Sequence, residues 1–262
     1  MVGKVTKMDQ MQALFLLHEG LAQCGPGSDA ETMRAVQLLP PLPPAPRIVD
    51  LGCGTGRQSL VLARALGPLE AVDIHQPFLD ELTARAQAQG LAGRVATRRA
   101  DMAAPGYAPA SLDLIWSEGA IYVLGFGRGL ALWRPMLRDG GLLAVTELSW
   151  LVDDPPAEAA AHWGQAYPGM AGVAQNLATA RQAGFAVVAH FALSAEAWLD
   201  GYYGPLVRRM AELTPLARQE LALAQALDET RLELDLYRRH GQAYGYVFYI
   251  LRKSPHDPSR QA

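Results

Sequence analysis

Cysteine is scarce in this sequence, since only Cys24 and Cys53 occur among its 262 residues. Two cysteines cannot form a disulfide framework, and Cys53 stands inside a glycine-rich segment without the paired spacing of a cysteine metal site. The six histidines are scattered, and no two have the spacing that would place both on one helix face as ligands. These absences disfavour a metal site and a disulfide-rich secreted protein, and they favour the reducing cytoplasm.

The sequence also lacks an excess of positive charge. Its 23 lysines and arginines face 26 aspartates and glutamates, which gives a formal net charge of −3. No overall basic field is available to hold a phosphate backbone, and the apolar stretch 13–17 is far too short for a membrane span. We therefore expect neither nucleic acid nor a membrane as a partner.

What the sequence has is alternation of strand-like and helical patterns. Half of its residues are hydrophobic, which is enough for a large core. Strands are predicted at 48–51, 69–74, 94–97, 112–116 and 142–147, and helices between them at 58–66, 78–89 and 126–137. This βαβ alternation predicts a parallel sheet covered by helices on both faces, with a kink at Pro135 in the last helix.

Additional helices flank this core in a single predicted domain over residues 1–262. Helices are expected within 1–40, and 194–240 is predicted to be a helical insertion or lid before a final strand at 243–251. The amphipathic pattern at 221–237 is compatible with packing on its own sheet or on a second subunit, so the oligomeric state stays open.

A glycine loop follows the first predicted strand, in the run Val49-Asp50-Leu51-Gly52-Cys53-Gly54-Thr55-Gly56-Arg57. Glycines permit a tight turn there and let a ligand approach the backbone near the following helix N-terminus. A dinucleotide loop of the G-x-G-x-x-G type would carry its last glycine at position 57, where this chain has arginine. The spacing disfavours an NAD-dependent oxidoreductase.

This loop, with the acidic residue before it, resembles that of the class I S-adenosylmethionine-dependent methyltransferases. The resemblance implies a Rossmann-like α/β sandwich with a mostly parallel seven-stranded sheet and an antiparallel last strand. It also implies S-adenosylmethionine as cofactor and S-adenosylhomocysteine as product. The methionine end would lie against five residues: Asp50, Gly52, Cys53, Gly54 and Gly56.

The remaining cofactor contacts are expected after the next three strands. Asp73 ends the second strand, where a carboxylate can accept hydrogen bonds from ribose hydroxyls. The resemblance assigns Asp101 to the adenine amino group and Met102 to the ring, against which His75 or Ile74 could also pack. Ser117, after the fourth strand, would face the sulfonium and the methyl acceptor.

The segment Trp116-Ser117-Glu118-Gly119-Ala120 and the later Ser149-Trp150 pair resemble a bacterial subgroup that acts on small molecules. Glu118 and Glu147 lie at predicted strand ends, where a carboxylate could orient a cationic amine, remove a proton or serve a structural purpose. Aromatic residues concentrate in the segments that would cover this edge, and at least half of them are expected to be core: Tyr122, Trp150, Trp163, Tyr167, Trp198, Tyr202 and Tyr203.

The sequence thus predicts methyl transfer to a small-molecule acceptor, with nitrogen, oxygen and carbon all open as the methylated atom. The alternative is a non-catalytic module that binds S-adenosylmethionine or S-adenosylhomocysteine. A nucleic-acid methyltransferase is disfavoured, because the chain has neither an Asn-Pro-Pro-Tyr-like segment nor a basic extension.

Overall fold

A computed structural model describes residues 8–255 of the chain. Its α-helices are α1 Gln10–His18, α2 Asp29–Gln37, α3 Arg57–Ala65, α4 Gln76–Ala88, α5 Phe126–Trp133, α6 Ala157–Ala166, α7 Val173–Gln182, α8 Ala195–Trp198, α9 Gly204–Ala217 and α10 Leu221–His240. Its strands are β1 Ile48–Leu51, β2 Leu69–Asp73, β3 Val95–Arg99, β4 Leu112–Ser117, β5 Leu137–Trp150, β6 Ala171–Gly172, β7 Phe185–Ala192 and β8 Tyr244–Lys253.

The strands form one sheet in the order β3-β2-β1-β4-β5-β8-β7, with β6 paired to β5 at its end. Strands β1 to β5 run parallel, whereas β8 is antiparallel to both of its neighbours. This confirms the predicted mostly parallel sheet with an antiparallel last strand. The two-residue β6 is an addition that the sequence pattern did not indicate.

Both faces of the sheet are buried, as a parallel sheet between helices requires. On β4, Leu114 and Trp116 face one core cluster and Ile115 faces the other. The first cluster includes residues of α1, α2, α3, α4, α9 and α10, and the second includes residues of α5 and α7. The sheet therefore holds the carboxyl ends of β1, β2 and β4 rigidly between two helical layers.

Helix α5 ends earlier than the sequence pattern indicated. The predicted helix ran to residue 137, but the α-helix stops at Trp133 and a 3₁₀ turn spans Arg134–Met136. Pro135 lacks the N–H that an α-helix needs, so the chain tightens there and enters β5 at Leu137. The expected kink is thus a helix end.

The flanking helices pack on one another across the sequence. Helix α1 is capped by Asp9, and α2 is capped by Ser28. Helix α1 contacts both α9 and α10 from the predicted 194–240 insertion. We call α1, the π-helical turn Leu199–Tyr203 and α10 the helical cover. That the insertion 194–240 acts as a lid stays a prediction, and residues 1–7 and 256–262 of the predicted domain lie outside the described part.

Among residues 8–255, no helix has the length and apolar character that crossing a membrane would require.

Candidate active site

The glycine loop after β1 has a backbone that other residues would strain. Gly52, Gly54 and Gly56 have φ angles of +71°, +54° and +82°. A Cβ at Gly52 would lie 2.5 Å from the Cβ of Ala120, and one at Gly56 would overlap a Leu82 methyl carbon. Residues that carry a side chain rarely adopt these φ angles, and here the side chain would also collide with packed neighbours. The loop therefore exposes backbone where a ligand can approach it.

Asp73, the last residue of β2, supports this loop. Its Oδ2 accepts a hydrogen bond from the Gly54 N–H at 2.8 Å, and its Oδ1 accepts one from the His75 N–H at 2.9 Å. Burial raises the pKa of Asp73, although both N–H groups favour the charged form. The carboxylate is thereby fixed at the strand end, with lone pairs left for a further donor.

A cavity of about 540 Å³ opens between this strand end and the helical cover. Eight of the predicted site residues lie on its wall: Gly52, Cys53, Gly54, Asp73, Ile74, Asp101, Met102 and Glu118. Ile74 is 52% exposed although it is aliphatic, so it presents a bare apolar surface. The Asp101 side chain accepts a hydrogen bond from the Ala103 N–H at 2.8 Å.

Four predicted site residues do not lie on this wall. Asp50 is fully buried behind the loop, where its Oδ2 accepts a hydrogen bond from the Ser59 hydroxyl at 2.5 Å and burial raises its pKa to about 7. Gly56 packs against α4, and Ser117 and Glu147 are buried inside the fold. The direct contacts expected of these four residues stay predictions, since none of the four lines the cavity within the described chain.

Glu118 lies on the wall, but its carboxylate already has three donors. Its Oε1 accepts hydrogen bonds from Thr32 and from the Trp116 indole, each at 2.8 Å, and its Oε2 pairs with Arg57 at 2.7 Å. The Glu118 side chain is 6% exposed and that of Arg57 is 13% exposed. This arrangement ties α2 and α3 to β4, the structural use that the sequence left open.

Glu147 is enclosed between β5 and the helices. It is 1% exposed, and its Oε1 accepts a hydrogen bond from the Tyr167 hydroxyl at 2.6 Å. Its Oε2 has no partner among residues 8–255. Burial raises the pKa of Glu147 to about 8, so it is mostly a neutral acid at pH 7.

The helical cover supplies a polar pair, His18 and Tyr202, that sequence reasoning did not bring together. The Nδ1 of His18 lies 2.8 Å from the Leu14 carbonyl, which makes Nδ1 the donor, and Nε2 therefore accepts from the Tyr202 hydroxyl at 3.0 Å. Both residues line the cavity, as do Tyr122 and Glu233. No short motif could have found them, because His18 and Tyr202 are 184 positions apart.

The other aromatic residues follow the expectation of core packing. Trp163, Trp198 and Tyr203 are each less than a tenth exposed. Trp198 stacks on Tyr237 with ring centroids 4.4 Å apart. Of the seven residues that the sequence singled out, only Tyr122 and Tyr202 reach the cavity within the described chain.

Comparison with known proteins agrees with this geometry. Residues 48–141 match a family described as a methyltransferase domain. The chain is 28% identical over 149 residues to the uncharacterized methyltransferase YodH of Bacillus subtilis, a match over 57% of this chain and 61% of that protein. It is 30% identical over 104 residues to methyltransferase GfsG of Streptomyces halstedii, covering 39% of this chain and 37% of GfsG. The matches thus span less than two thirds of either relative.

The fold is shared with a solved S-adenosylmethionine-dependent methyltransferase from Thiobacillus denitrificans, determined with S-adenosylhomocysteine. That structure superposes with a TM-score of 0.77 at 23% identity, over 93% of this chain and 99% of the other. The domain match and the shared fold together confirm the predicted class. Residues 48–141 thus resemble a methyltransferase domain, and the chain has the fold of the class I, Rossmann-like methyltransferases.

Proposed function

We propose that this protein transfers a methyl group from S-adenosylmethionine to a small-molecule acceptor. The observation that carries the proposal is one continuous cavity: its first wall is the left-handed glycine loop with Asp73, and its second is the helical cover. Its volume of about 540 Å³ lies in the range of small-molecule sites, which supports a small acceptor. Both cysteines are free thiols, which fits the reducing cytoplasm that we propose as its compartment.

The first wall fits the cofactor by its own geometry. The loop at Gly52 leaves no room for a Cβ, and that bare backbone would hold the amino-acid end of the cofactor. The Asp73 carboxylate would accept the ribose hydroxyls, and the exposed Ile74 side chain would cover the adenine ring. When bound, S-adenosylmethionine supplies an electrophilic methyl group on a positively charged sulfur.

This chain's residues would act mainly by binding, orienting and excluding water. Glu118 is occupied by three donors and Glu147 is enclosed, so we assign proton removal to neither. The Tyr202 oxygen can instead accept a proton from the acceptor while its own proton passes to the Nε2 of His18. Burial lowers the pKa of His18, which keeps its imidazole neutral and able to accept.

Calorimetric titration with S-adenosylmethionine and S-adenosylhomocysteine tests the cofactor assignment. We expect Asp73→Ala to lose about 100-fold in affinity, because charge-assisted hydrogen bonds contribute about 1.5–3 kcal/mol each. Asp80→Ala is the matched control, since Asp80 is exposed on α4 and should leave the affinity unchanged. If the wild-type protein bound neither compound, the methyltransferase activity would be ruled out and only the fold would remain.

The second candidate is a non-catalytic module that binds the same cofactor. The two candidates differ in turnover, which can be measured as release of S-adenosylhomocysteine in the presence of pooled amines, phenols and carboxylates. Accumulation with any pool supports the enzyme, whereas binding without accumulation across all pools supports the module.

A further inference from the structure

The helical cover brings two carboxylates to the cavity that the proposed cofactor contacts do not use. Glu229 and Glu233 lie one turn apart on α10, and both line the cavity opposite the glycine loop. Glu229 is exposed, so solvent screens its charge, whereas Glu233 is half-buried. The partly buried charge of Glu233 is therefore the one that needs an explanation.

Glu233 has neither a hydrogen-bond partner nor an ion-pair partner among the described residues. No side chain of residues 8–255 donates a hydrogen bond to its carboxylate. Burial, followed by the charge of Glu229, raises the pKa of Glu233 to about 7. A half-buried carboxylate gains from a donor or a cation that meets it, and the position of Glu233 on the cavity wall allows a ligand to supply that group.

The side chains around Glu233 favour positive charge. Tyr122 and Tyr202 line the same part of the cavity, and after burial the negative charge of Glu233 is the next cause that raises the pKa of each. Glu233 is therefore close enough to act on both rings. Tyrosine faces attract cations through the ring quadrupole, which adds to the attraction of the carboxylate.

The cavity offers no comparable binding partner to an anionic ligand. Among the described residues, its wall carries two basic side chains, Arg57 and His18. Arg57 is paired with Glu118 and Asp29, and burial lowers the pKa of His18 so that it is neutral. A phosphate or carboxylate on the acceptor would lose water without gaining a partner.

We propose that Glu233, with the rings of Tyr122 and Tyr202, binds a basic nitrogen of a small-molecule methyl acceptor in its protonated form. This inference rests on the proposed function, because it assigns the acceptor end of the same cavity. It makes Glu233 a specificity-determining residue and places amines ahead of phosphates and carboxylates as acceptors.

Three probes that share a benzyl group test the assignment: benzylamine, benzyl alcohol and phenylacetate, titrated at pH 8 into protein saturated with S-adenosylhomocysteine. The wild type should bind benzylamine at least about tenfold more tightly than the other two, as expected for one charge-assisted contact. Glu233→Gln should remove that preference. Glu229→Gln is the matched control from the same helix and cavity, and it should keep most of it.

Two results would overturn the inference while leaving the proposed function intact. The first is a failure of the expected preference: either the wild type binds all three probes with equal affinity, or the preference for benzylamine survives in Glu233→Gln. The other is a loss of S-adenosylhomocysteine affinity in Glu233→Gln, which would assign Glu233 to the cofactor. Failure of the wild type to bind S-adenosylhomocysteine would instead overturn the proposed function and, with it, the role of any amine as acceptor.

Discussion

The two walls of the cavity are built in different ways. The sheet wall is built around the glycine loop and residues that follow strand ends within 52–102, and its central carboxylate, Asp73, accepts two backbone hydrogen bonds. The helical wall consists of long side chains, His18, Tyr202 and Glu233, whose elements come from both ends of the chain. A wall shaped by backbone keeps its form when side chains are substituted, so it suits a ligand that stays the same, such as a cofactor. A wall of side chains can be adapted to a different ligand by amino-acid substitutions.

Gly52→Ala tests the dependence of the sheet wall on backbone geometry and should have the largest effect. The substitution combines a left-handed φ with a Cβ placed 2.5 Å from that of Ala120. We expect the free energy of unfolding to fall by about 3 kcal/mol, and S-adenosylhomocysteine binding to be lost. Urea unfolding and calorimetry measure the two effects.

Gly90→Ala is the matched control for that experiment. Gly90 has a φ of +69°, but its added Cβ would meet no atom within 4 Å. It should therefore show only the conformational cost, about 1 kcal/mol, with binding intact. Equal effects of the two substitutions would show that close packing around Gly52 does not shape the loop.

The difference between the walls also explains what the sequence could predict. The glycine loop, Asp73 and the Asp101-Met102 pair lie next to strand ends, so local pattern was enough to bring them to one edge. The pair of His18 and Tyr202 depends on how α1 packs against the insertion, a long-range contact that periodicity does not encode. The sequence pattern also did not reveal burial: Asp50 and Glu147 are fully enclosed and do not line the cavity.

Glu118→Gln tests the buried ion pair between Arg57 at the start of α3 and Glu118 after β4. The neutral amide in this variant could keep a contact to Thr32 and to the Trp116 indole, but Arg57 would lose its buried anionic partner. Breaking a buried pair leaves an uncompensated charge, and we expect a loss of about 2 kcal/mol in the free energy of unfolding. Urea titration at pH 8 measures this change.

Asp29→Asn provides the matched control, because Asp29 contacts the same guanidinium at 3.1 Å but its side chain is 65% exposed. An exposed pair contributes less than about 1 kcal/mol, so this variant should be close to the wild type. Unchanged stability in Glu118→Gln would remove its structural explanation and restore Glu118 as a candidate for proton removal.

Glu147→Gln should have the smallest effect of the three, and it should depend on pH. The pKa of Glu147 is raised to about 8, so the folded protein holds this proton while the unfolded chain has released it above about 4.5. The stability that the protonated group contributes is therefore lost as pH rises through about 8. A neutral glutamine avoids this loss.

We expect Glu147→Gln to gain about 1–2 kcal/mol relative to the wild type between pH 6 and pH 9, less than the full pKa shift implies, because relaxation and water entry reduce it. Urea unfolding at both pH values measures the change, with Glu196→Gln at an exposed site of α8 as the control. Because Tyr167 donates the one hydrogen bond that Glu147 receives from a described side chain, the gain would identify a buried structural acid. If the wild type and Glu147→Gln instead lost stability equally as pH rises, the Glu147 carboxylate would have to be solvated. A solvated Glu147 could reach the acceptor.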